Sequence, residues 1–366
     1  MADLEEETHE SVSELLEALV KSSTSSVRLP VKFLLTSRPE TRIRETSVSD
    51  EDFSRILRLH AVNRDEVSAD IRRYITETLD IKLSSRPSIR ARFTRSTIED
   101  LVGISDCLFI VAATVLKHTI GAGADAAEAR FKKLLNASRD GLNTKVAGPL
   151  DRMYGIILDD AVRDHEHDAT ELSSLLRLIA SLLSARMTLS VAALAQLLDL
   201  ELCDVRESLS HLHAVVDVPE GDRVPGLRTL HASFADYLFS RAPNHIRIPR
   251  LLGHETLAHG CFNVMENRLY FNISCSRSSY GPNRSAKLKS IALSLEYACL
   301  YWAHHVGFFK PNHEVGCNLP SFDSKIGHIF RPRLLAWLEV LSVLHRVGLA
   351  YSLLLSAASV VSWLSY

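Results

Sequence analysis

Apolar residues recur at every third or fourth position along most of this chain, and this spacing constrains its fold more than any other sequence feature. One such set has members four residues apart: Val67, Ile71, Ile75 and Leu79. Residues with that spacing share one face of an α-helix, which is buried against a core. The stretch 97–120 is apolar on most sides, as in a helix surrounded by others. The sequence therefore predicts a mainly α protein.

The N-terminal region holds the one good α/β unit of the sequence. Residues 11–20 have helical periodicity, and the apolar run from Val31 to Thr36 predicts a short buried strand. Pro39 ends the strand, because proline has no N–H to donate to a neighbouring strand. We therefore expect residues 1–60 to be a partial α/β domain.

Residues 150–240 have the pattern of a separate module. Helical stretches at 150–162 and 169–184 precede Ser190, a residue type that caps helix N-termini. Two short helices and a hairpin follow, and a short helix over 231–238 closes the module, which is the element order of a winged helix. The predicted domains are a truncated α/β domain at 1–60, a helical domain at 61–150, a winged-helix-like domain at 151–245, and a helical C-terminal region at 246–366 with loops at 274–287 and 311–325.

The charge balance argues against nucleic acid as a partner. The chain has 42 Lys and Arg against 44 Asp and Glu, so no long-range field attracts polyanions. The second helix of the predicted winged helix carries Glu201, Asp204 and Glu207. A recognition helix of that charge repels phosphate, so we expect protein partners instead.

The cysteine and histidine positions favour neither a disulfide framework nor a metal site. Six cysteines lie far apart, and none of them forms a C-x-x-C pair. The first ten residues carry five acidic groups and no Lys or Arg, unlike a secretory signal, so we expect a cytoplasmic protein. His211 with His213, and His304 with His305, are too close in sequence to point the same way from a helix, so no metal ligand is assigned.

The last 20 residues, 347–366, contain no charged side chain and are long enough to span a bilayer. Serines nevertheless recur every three or four residues, at Ser352, Ser356, Ser359, Ser362 and Ser365. On a helix they form a polar stripe opposite apolar residues that include Leu353, Leu354, Val360, Val361 and Leu364. We therefore expect an amphipathic helix packed on protein and no membrane partner. A tail anchor is the alternative.

Seven short motifs follow one another along the chain. They are Phe33-Leu34-Leu35-Thr36-Ser37-Arg38-Pro39-Glu40, Asp70-Ile71 with Tyr74-Ile75, Leu108-Phe109-Ile110 with Ala112-Ala113-Thr114, Leu212-His213 with Val218-Pro219, Leu230-His231-Ala232-Ser233-Phe234 with Asp236-Tyr237-Leu238, Tyr297-Ala298-Cys299 with Trp302-Ala303-His305, and Trp337-Leu338-Glu339-Val340-Leu341-Ser342. In this order they resemble the NACHT-type NTPases, and most closely the large fungal proteins that join a NACHT domain to a WD-repeat propeller. The resemblance covers nearly the whole chain from about residue 3.

The sequence departs from this family where the family binds nucleotide. A phosphate-binding loop needs a glycine-rich turn followed by lysine, yet none of the 15 glycines precedes a lysine. Leu4-Glu5-Glu6 stands where the family has the Leu-Asp-Glu of Walker B, with Glu5 in place of the aspartate that supports Mg²⁺. We expect a chain that starts within the NTPase domain, lacks the propeller and is not an enzyme. ATP or ADP would be a cofactor only with the phosphate-binding loop supplied from elsewhere.

The resemblance implies two vestigial nucleotide contacts and no catalytic residue. Arg38 stands where the family has a sensor arginine near the γ-phosphate, and the alternative is an ion pair with Glu40. His231 is similar to the winged-helix histidine that contacts the β-phosphate of ADP, and the alternative is a helix-start histidine bonded to backbone. Cys107 replaces the glycine of a Gly-Leu-Phe motif, which puts a close backbone approach in doubt.

These features together predict a non-catalytic fragment of a NACHT-type signalling switch that acts through protein–protein interaction. Its partners would be proteins, including full-length members of the same family. One alternative is a switch that binds ADP or ATP and is completed by upstream sequence or by a partner chain. The other alternative is a tail-anchored interaction protein.

Overall fold

The computed structural model describes residues 62–120, 124–140, 148–163, 169–275, 289–309 and 322–364, together with Thr36. By its contacts the chain divides into two units, Met1–Asn63 and Arg64–Tyr366. The second unit is mainly helical, which confirms the predicted fold class at that level. The predicted α/β domain and its strand lie outside the described residues, apart from Thr36, which is exposed.

In the first part of the second unit, the elements that the structure describes are helices. Its helices are α1 (Arg64–Lys82), α2 (Pro87–Arg90), α3 (Arg95–Ser105), α4 (Phe109–Ile120), α5 (Ala124–Asp140) and α6 (Pro149–Arg163). The periodic residues Ile71, Ile75 and Leu79 are buried on one face of α1, as their spacing predicts.

The predicted helical stretch 97–120 is two helices rather than one. Between α3 and α4 the φ angles of Asp106 and Cys107 are 44° and 61°, in the left-handed region. Residues other than glycine rarely adopt that conformation, and an α-helix cannot continue through it. Cys107 therefore has a backbone conformation that glycine adopts more readily than other residues.

The next part combines short helices with a hairpin. Its elements are α7 (Ala169–Ser184), α8 (Val191–Leu198), α9 (Leu202–His211), β1 (Val216–Asp217), β2 (Arg228–Thr229), α10 (Ala232–Asp236) and a π-helical turn at Tyr237–Arg241. Ser190 caps α8 as predicted, because its hydroxyl accepts a hydrogen bond of 3.1 Å from the N–H of Ala193. The strands pair antiparallel, with Val216 opposite Thr229. A further bridge joins Leu189, just before α8, to Leu227.

The remaining described elements are helices joined by turns. They are α11 (Arg250–Arg268), α12 (Leu293–Gly307), α13 (Phe322–Val343), a 3₁₀ turn at Val347–Leu349 and α14 (Ala350–Leu364). Because α13 begins at Phe322, the predicted loop at 311–325 extends too far. Trp302 and Trp337 are fully buried among these helices, and the indole N–H of Trp337 donates a 3.0 Å hydrogen bond to the carbonyl of Cys299.

Two glycines of α11 allow very close contact with the helices before it. A Cβ at Gly253 would lie 2.2 Å from the carbonyl oxygen of Ala180 in α7. A Cβ at Gly260 would lie 2.0 Å from the carbonyl oxygen of Leu197 in α8. Both distances are much shorter than the normal van der Waals separation of two non-bonded heavy atoms. Helices α7 and α8 therefore touch the backbone of α11 where no side chain would fit, while α11 also packs on α12 and α13.

The C-terminal helix α14 packs on α12 and α13, with Ala357 buried. Ser356 also faces protein, since its Oγ lies 3.7 Å from a Cβ position on Gly307. Leu354 and Leu355, by contrast, are 37% and 57% exposed. The helix therefore packs on protein as predicted, and Leu353 of the predicted apolar face lies against the core. The predicted faces hold only in part, because Leu354 of that face is exposed while Ser356 faces protein. Within the described ranges, no helix is both long and apolar enough to cross a bilayer.

We expect Gly260→Ala to destabilise the protein by about 2 kcal/mol or more, because the added methyl group would overlap the Leu197 carbonyl. The free energy of unfolding in denaturant measures this. Gly327→Ala in α13 is the matched control, since nothing lies within 4 Å of its Cβ position. Alanine there should stabilise by up to ~1 kcal/mol through helix propensity. Equal effects of the two substitutions would show that α8 and α11 are not in close contact.

Candidate functional site

Of the two residues predicted to contact nucleotide, Arg38 lies outside the described residues and His231 lies at the N-cap of α10. The Nδ1 atom of His231 accepts a 3.2 Å hydrogen bond from the backbone N–H of Ser233 and lies 2.6 Å from its Oγ. A nitrogen that accepts an N–H carries no proton, so the neutral ring is protonated on Nε2. His231 is exposed, so this N–H can donate to solvent or to a ligand.

The Ser233 hydroxyl connects this cap to helix α6. It lies 2.9 Å from the hydroxyl of Tyr154. Because it donates to His231, it accepts the Tyr154 proton. Tyr154 packs against the rings of Phe234 and Tyr237, at centroid distances of 5.1 and 5.7 Å, and burial raises its pKa. A buried tyrosine therefore sets the orientation of the exposed histidine.

An ion pair joins helix α6 to the π-helical turn that follows α10. The guanidinium of Arg241, at the end of the π-helical turn, donates hydrogen bonds of 2.8 and 3.0 Å to the two oxygens of Asp151 in α6. The Asp151 side chain is only 16% exposed. A two-point contact of this geometry restricts rotation of both side chains. It therefore helps to hold the segment after α10 against α6.

The exposed face of α9 is acidic. Glu201, Asp204 and Glu207 are all exposed along it. The basic residue of this helix, Arg206, donates a 2.7 Å hydrogen bond to Asp222 and further bonds to backbone carbonyls of the hairpin loop. The positive charge of Arg206 is therefore paired with groups of the protein itself. What α9 presents to a partner is a row of carboxylates.

A second polar cluster joins helices α4, α5 and α6. The Nε2 of His118 lies 3.1 Å from Asp160, and Lys133 pairs with the same carboxylate. Burial opposes ionisation of Asp160, but the hydrogen bonds from His118 and Lys133 outweigh it and lower its pKa to about 2. Burial also lowers the pKa of His118. Within the described residues, the buried Nδ1 of His118 has no hydrogen-bond partner.

His213 connects the end of α9 to the end of α4. Its ring stacks on that of His118, with centroids 6.5 Å apart. Its Nδ1 lies 2.9 Å from the carbonyl oxygen of Ser210, and its Nε2 lies 3.0 Å from that of Lys117.

A third polar cluster is buried between α11 and α12. His305 is 0% exposed and His254 is 9% exposed, and their Nδ1 atoms lie 2.9 Å apart. The hydroxyl of Tyr297 lies 2.7 Å from the Nε2 of His305 and accepts a 3.3 Å hydrogen bond from the backbone N–H of Arg186. The sequence pattern shows His304 beside His305 but does not reveal this network, because His254 lies 51 residues away in sequence.

The hydrogen bonds determine the protonation of this network. Tyr297 donates to the Nε2 of His305, so His305 carries its proton on Nδ1 and donates it to the Nδ1 of His254. Both rings are then neutral. Burial, followed by the neighbouring His304 and the charge of Arg186, lowers the pKa of His254 to about 3. Burial likewise lowers the pKa of His304 to about 4, and it lowers the pKa of His305 strongly.

An open cavity of about 680 Å³ lies at the start of α3, lined by Arg72, Arg90, Arg95 and Glu99 among others. Two of the arginines are already engaged. Arg72 makes hydrogen bonds of 2.7 and 2.8 Å to Glu99, and Arg90 makes one of 2.7 Å to Asp80. The cavity is therefore not an arginine cluster free to bind an anion. In the part of the chain that the structure describes, no group of His, Cys, Asp or Glu is arranged to hold a metal ion.

The buried histidines make stability depend on pH. A histidine whose folded pKa is lowered to about 3 contributes stability that is fully present above its unfolded pKa of about 6.5 and is lost as the pH falls towards 3. We expect His254→Gln, whose amide oxygen can accept the His305 proton, to reduce the slope of unfolding free energy between about pH 6 and pH 4 by about 1.4 kcal/mol per pH unit.

Denaturant unfolding at a series of pH values measures this slope. His245→Gln is the control, because His245 is exposed in the folded protein and its replacement should leave the slope unchanged. An unchanged slope in His254→Gln would mean that His254 is protonated in the folded state.

Comparison with protein-family models, with curated proteins and with solved structures finds no match to this chain. The proposal of function therefore depends on the geometry above and on the motifs of the sequence.

Proposed function

We propose that residues 151–245 form a winged-helix-like domain in a non-catalytic protein of the NACHT-type class of signalling switches. The element order supports the domain: helix α7, the bridge at Leu189, helices α8 and α9, and strands β1 and β2. A helix, a short strand, a helix-turn-helix and a hairpin in this order are the elements of a winged helix.

The acidic face of α9 is the observation that most favours protein over nucleic acid as the partner of this domain. Helix α8 is covered by α11 through the contact at Gly260, so α9 and the hairpin are the parts left to meet a partner. Their carboxylates, Glu201, Asp204 and Glu207, would repel nucleic-acid phosphates. A protein surface rich in Lys or Arg complements them. Other copies of related switch proteins are the partners that the motifs suggest.

The sequence supports the non-catalytic part of the proposal. No glycine of the chain precedes a lysine, so the chain has no phosphate-binding loop of the usual kind. ATP or ADP is therefore proposed as a cofactor only where that loop comes from another source. Cys203 and Cys275 are exposed free thiols, which suit the reducing cytoplasm.

One observation favours the alternative of a nucleotide-binding switch. The tautomer of His231 directs an N–H donor outward from Nε2, and Tyr154 holds the ring in place through Ser233. A fixed N–H donor is what a phosphate oxygen requires. Under this alternative the Nε2 of His231 contacts the β-phosphate of ADP.

We expect the purified chain to show no ATP hydrolysis and no saturable binding of ADP or ATP–Mg²⁺ at micromolar concentrations. The reason is the missing cradle of backbone N–H groups for the phosphates. Titration calorimetry measures binding, and phosphate release measures turnover. Micromolar binding of ADP that His231→Ala weakens about tenfold, with His245→Ala unchanged as control, would replace this proposal with the switch alternative.

We expect the triple variant Glu201→Lys, Asp204→Lys and Glu207→Lys to lose protein contacts made through α9, because charge reversal turns attraction into repulsion. Cross-linking in producing cells, read by mass spectrometry, measures these contacts. The control reverses Glu66, Asp70 and Glu77, three exposed carboxylates of α1, with the same change in net charge. Tight binding of duplex DNA by the unaltered chain at physiological salt would contradict the proposal.

A further inference from the structure

Large apolar side chains are exposed near the C-terminal end of the described residues. Tyr351 is 76% exposed, Leu335 is 75% exposed and Leu355 is 57% exposed. We call the whole set the C-terminal apolar surface: Leu334, Leu335, Val347, Leu349, Tyr351, Leu354 and Leu355. Proteins rarely expose so many large apolar residues in one region unless a partner covers them.

The elements that carry this surface contact one another. They are α13, the 3₁₀ turn and α14. On α14, Tyr351, Leu354 and Leu355 are spaced three and four residues apart and share one face, while Ala357 is buried against protein. On α13, Leu334 and Leu335 are exposed, while the neighbouring Ala336 and Trp337 are buried. Each helix therefore has one face in the core and an apolar face outside it.

The charged residues on the elements that carry this surface are mostly basic. Residues 322–364 contain four cations, Lys325, Arg331, Arg333 and Arg346, against two carboxylates, Asp323 and Glu339. Glu339 accepts hydrogen bonds of 2.9 and 2.6 Å from the backbone N–H and the hydroxyl of Ser274, so it is engaged within the protein.

Two of the arginines lie close to the apolar residues. The exposed Arg331 precedes Leu335 by four residues on α13 and so lies on the same face. The exposed Arg346 directly precedes Val347. Exposed cations therefore border exposed leucines, with no carboxylate from 340 to 364.

The exposed apolar side chains and the neighbouring arginines together indicate what kind of partner would bind this surface. A second copy of the chain would bring like charges together across the contact, which is unfavourable. A bilayer surface with anionic headgroups attracts the arginines and takes up leucine and tyrosine side chains at the headgroup boundary. Tyrosine is enriched at that boundary because its ring is apolar and its hydroxyl is polar.

We propose that the C-terminal apolar surface docks on anionic membranes, lying in the plane of the headgroups without crossing the bilayer. This differs from the expectation, drawn from the serine pattern, that a membrane is not a partner. It needs neither nucleotide nor the acidic face of α9, so it stands apart from the function proposed above.

Flotation of the full chain with lipid vesicles tests the proposal. We expect the protein to float with vesicles of phosphatidylcholine mixed with phosphatidylserine, and to remain below with vesicles of phosphatidylcholine alone. Arg331→Gln with Arg346→Gln should lower the partition coefficient roughly 25-fold, at about fivefold for each cation. Leu335→Ser with Tyr351→Ser should lower it by about tenfold or more.

Matched controls use residues outside this surface. Arg228→Gln, on strand β2, removes an exposed cation, and Phe271→Ser removes a side chain that is 89% exposed. Both should float as the unaltered chain does, and circular dichroism checks that every variant is folded. Binding that is equal on neutral and anionic vesicles, or no binding to either, overturns the proposal. A dimer in solution that Leu335→Ser dissociates, with no flotation, would assign the surface to a second copy instead.

Discussion

The contact of α11 with α7 and α8 determines how the helices around α11 are arranged. Gly253 and Gly260 are seven residues apart, almost two helical turns, so both lie on one face of α11. Each admits a backbone carbonyl where any side chain would collide. At Trp302 and Trp337, by contrast, large side chains are needed, because their rings fill the space between α12 and α13. Helix α11 therefore lies between two helix pairs. It makes close backbone contact with α7 and α8, and large side chains fill the space on the side of α12 and α13.

Regular spacing made much of this fold predictable. The four-residue repeat in α1 and the serine before α8 each act over a few neighbouring positions, and the structure places them as expected. The left-handed pair at Asp106 and Cys107 was not predicted, because nothing in their residue types demands that conformation. The outward leucines of α14 were missed for another reason. Periodicity finds the faces of a helix but does not say which of them meets the core.

The candidate site was predictable only where its residues are close in sequence. His231 and Ser233 belong to one motif, and the capping contact between them is local. The supporting hydroxyl of Tyr154 comes from 79 residues away, and the Nδ1 partner of His305 comes from 51 residues away. Pairs of this kind arise from tertiary packing, which a single sequence does not reveal. Buried polar groups must still find partners, and the network from Arg186 through Tyr297 and His305 to His254 meets that requirement.

The carbonyl contacts at Gly253 and Gly260 also have a mechanical consequence. Helices α7, α8 and α11 touch through backbone atoms, which cannot swing aside as side chains do, so they behave as one stiff block. The segments between α8 and α11 meet α4 and α6 through polar contacts, from His213 to Lys117, from Arg241 to Asp151 and from Ser233 to Tyr154. Water can replace such contacts one at a time. Relative movement within this unit therefore occurs most easily at these polar contacts with α4 and α6. A partner that pulls on α9 would strain them before it strains the backbone contacts among α7, α8 and α11.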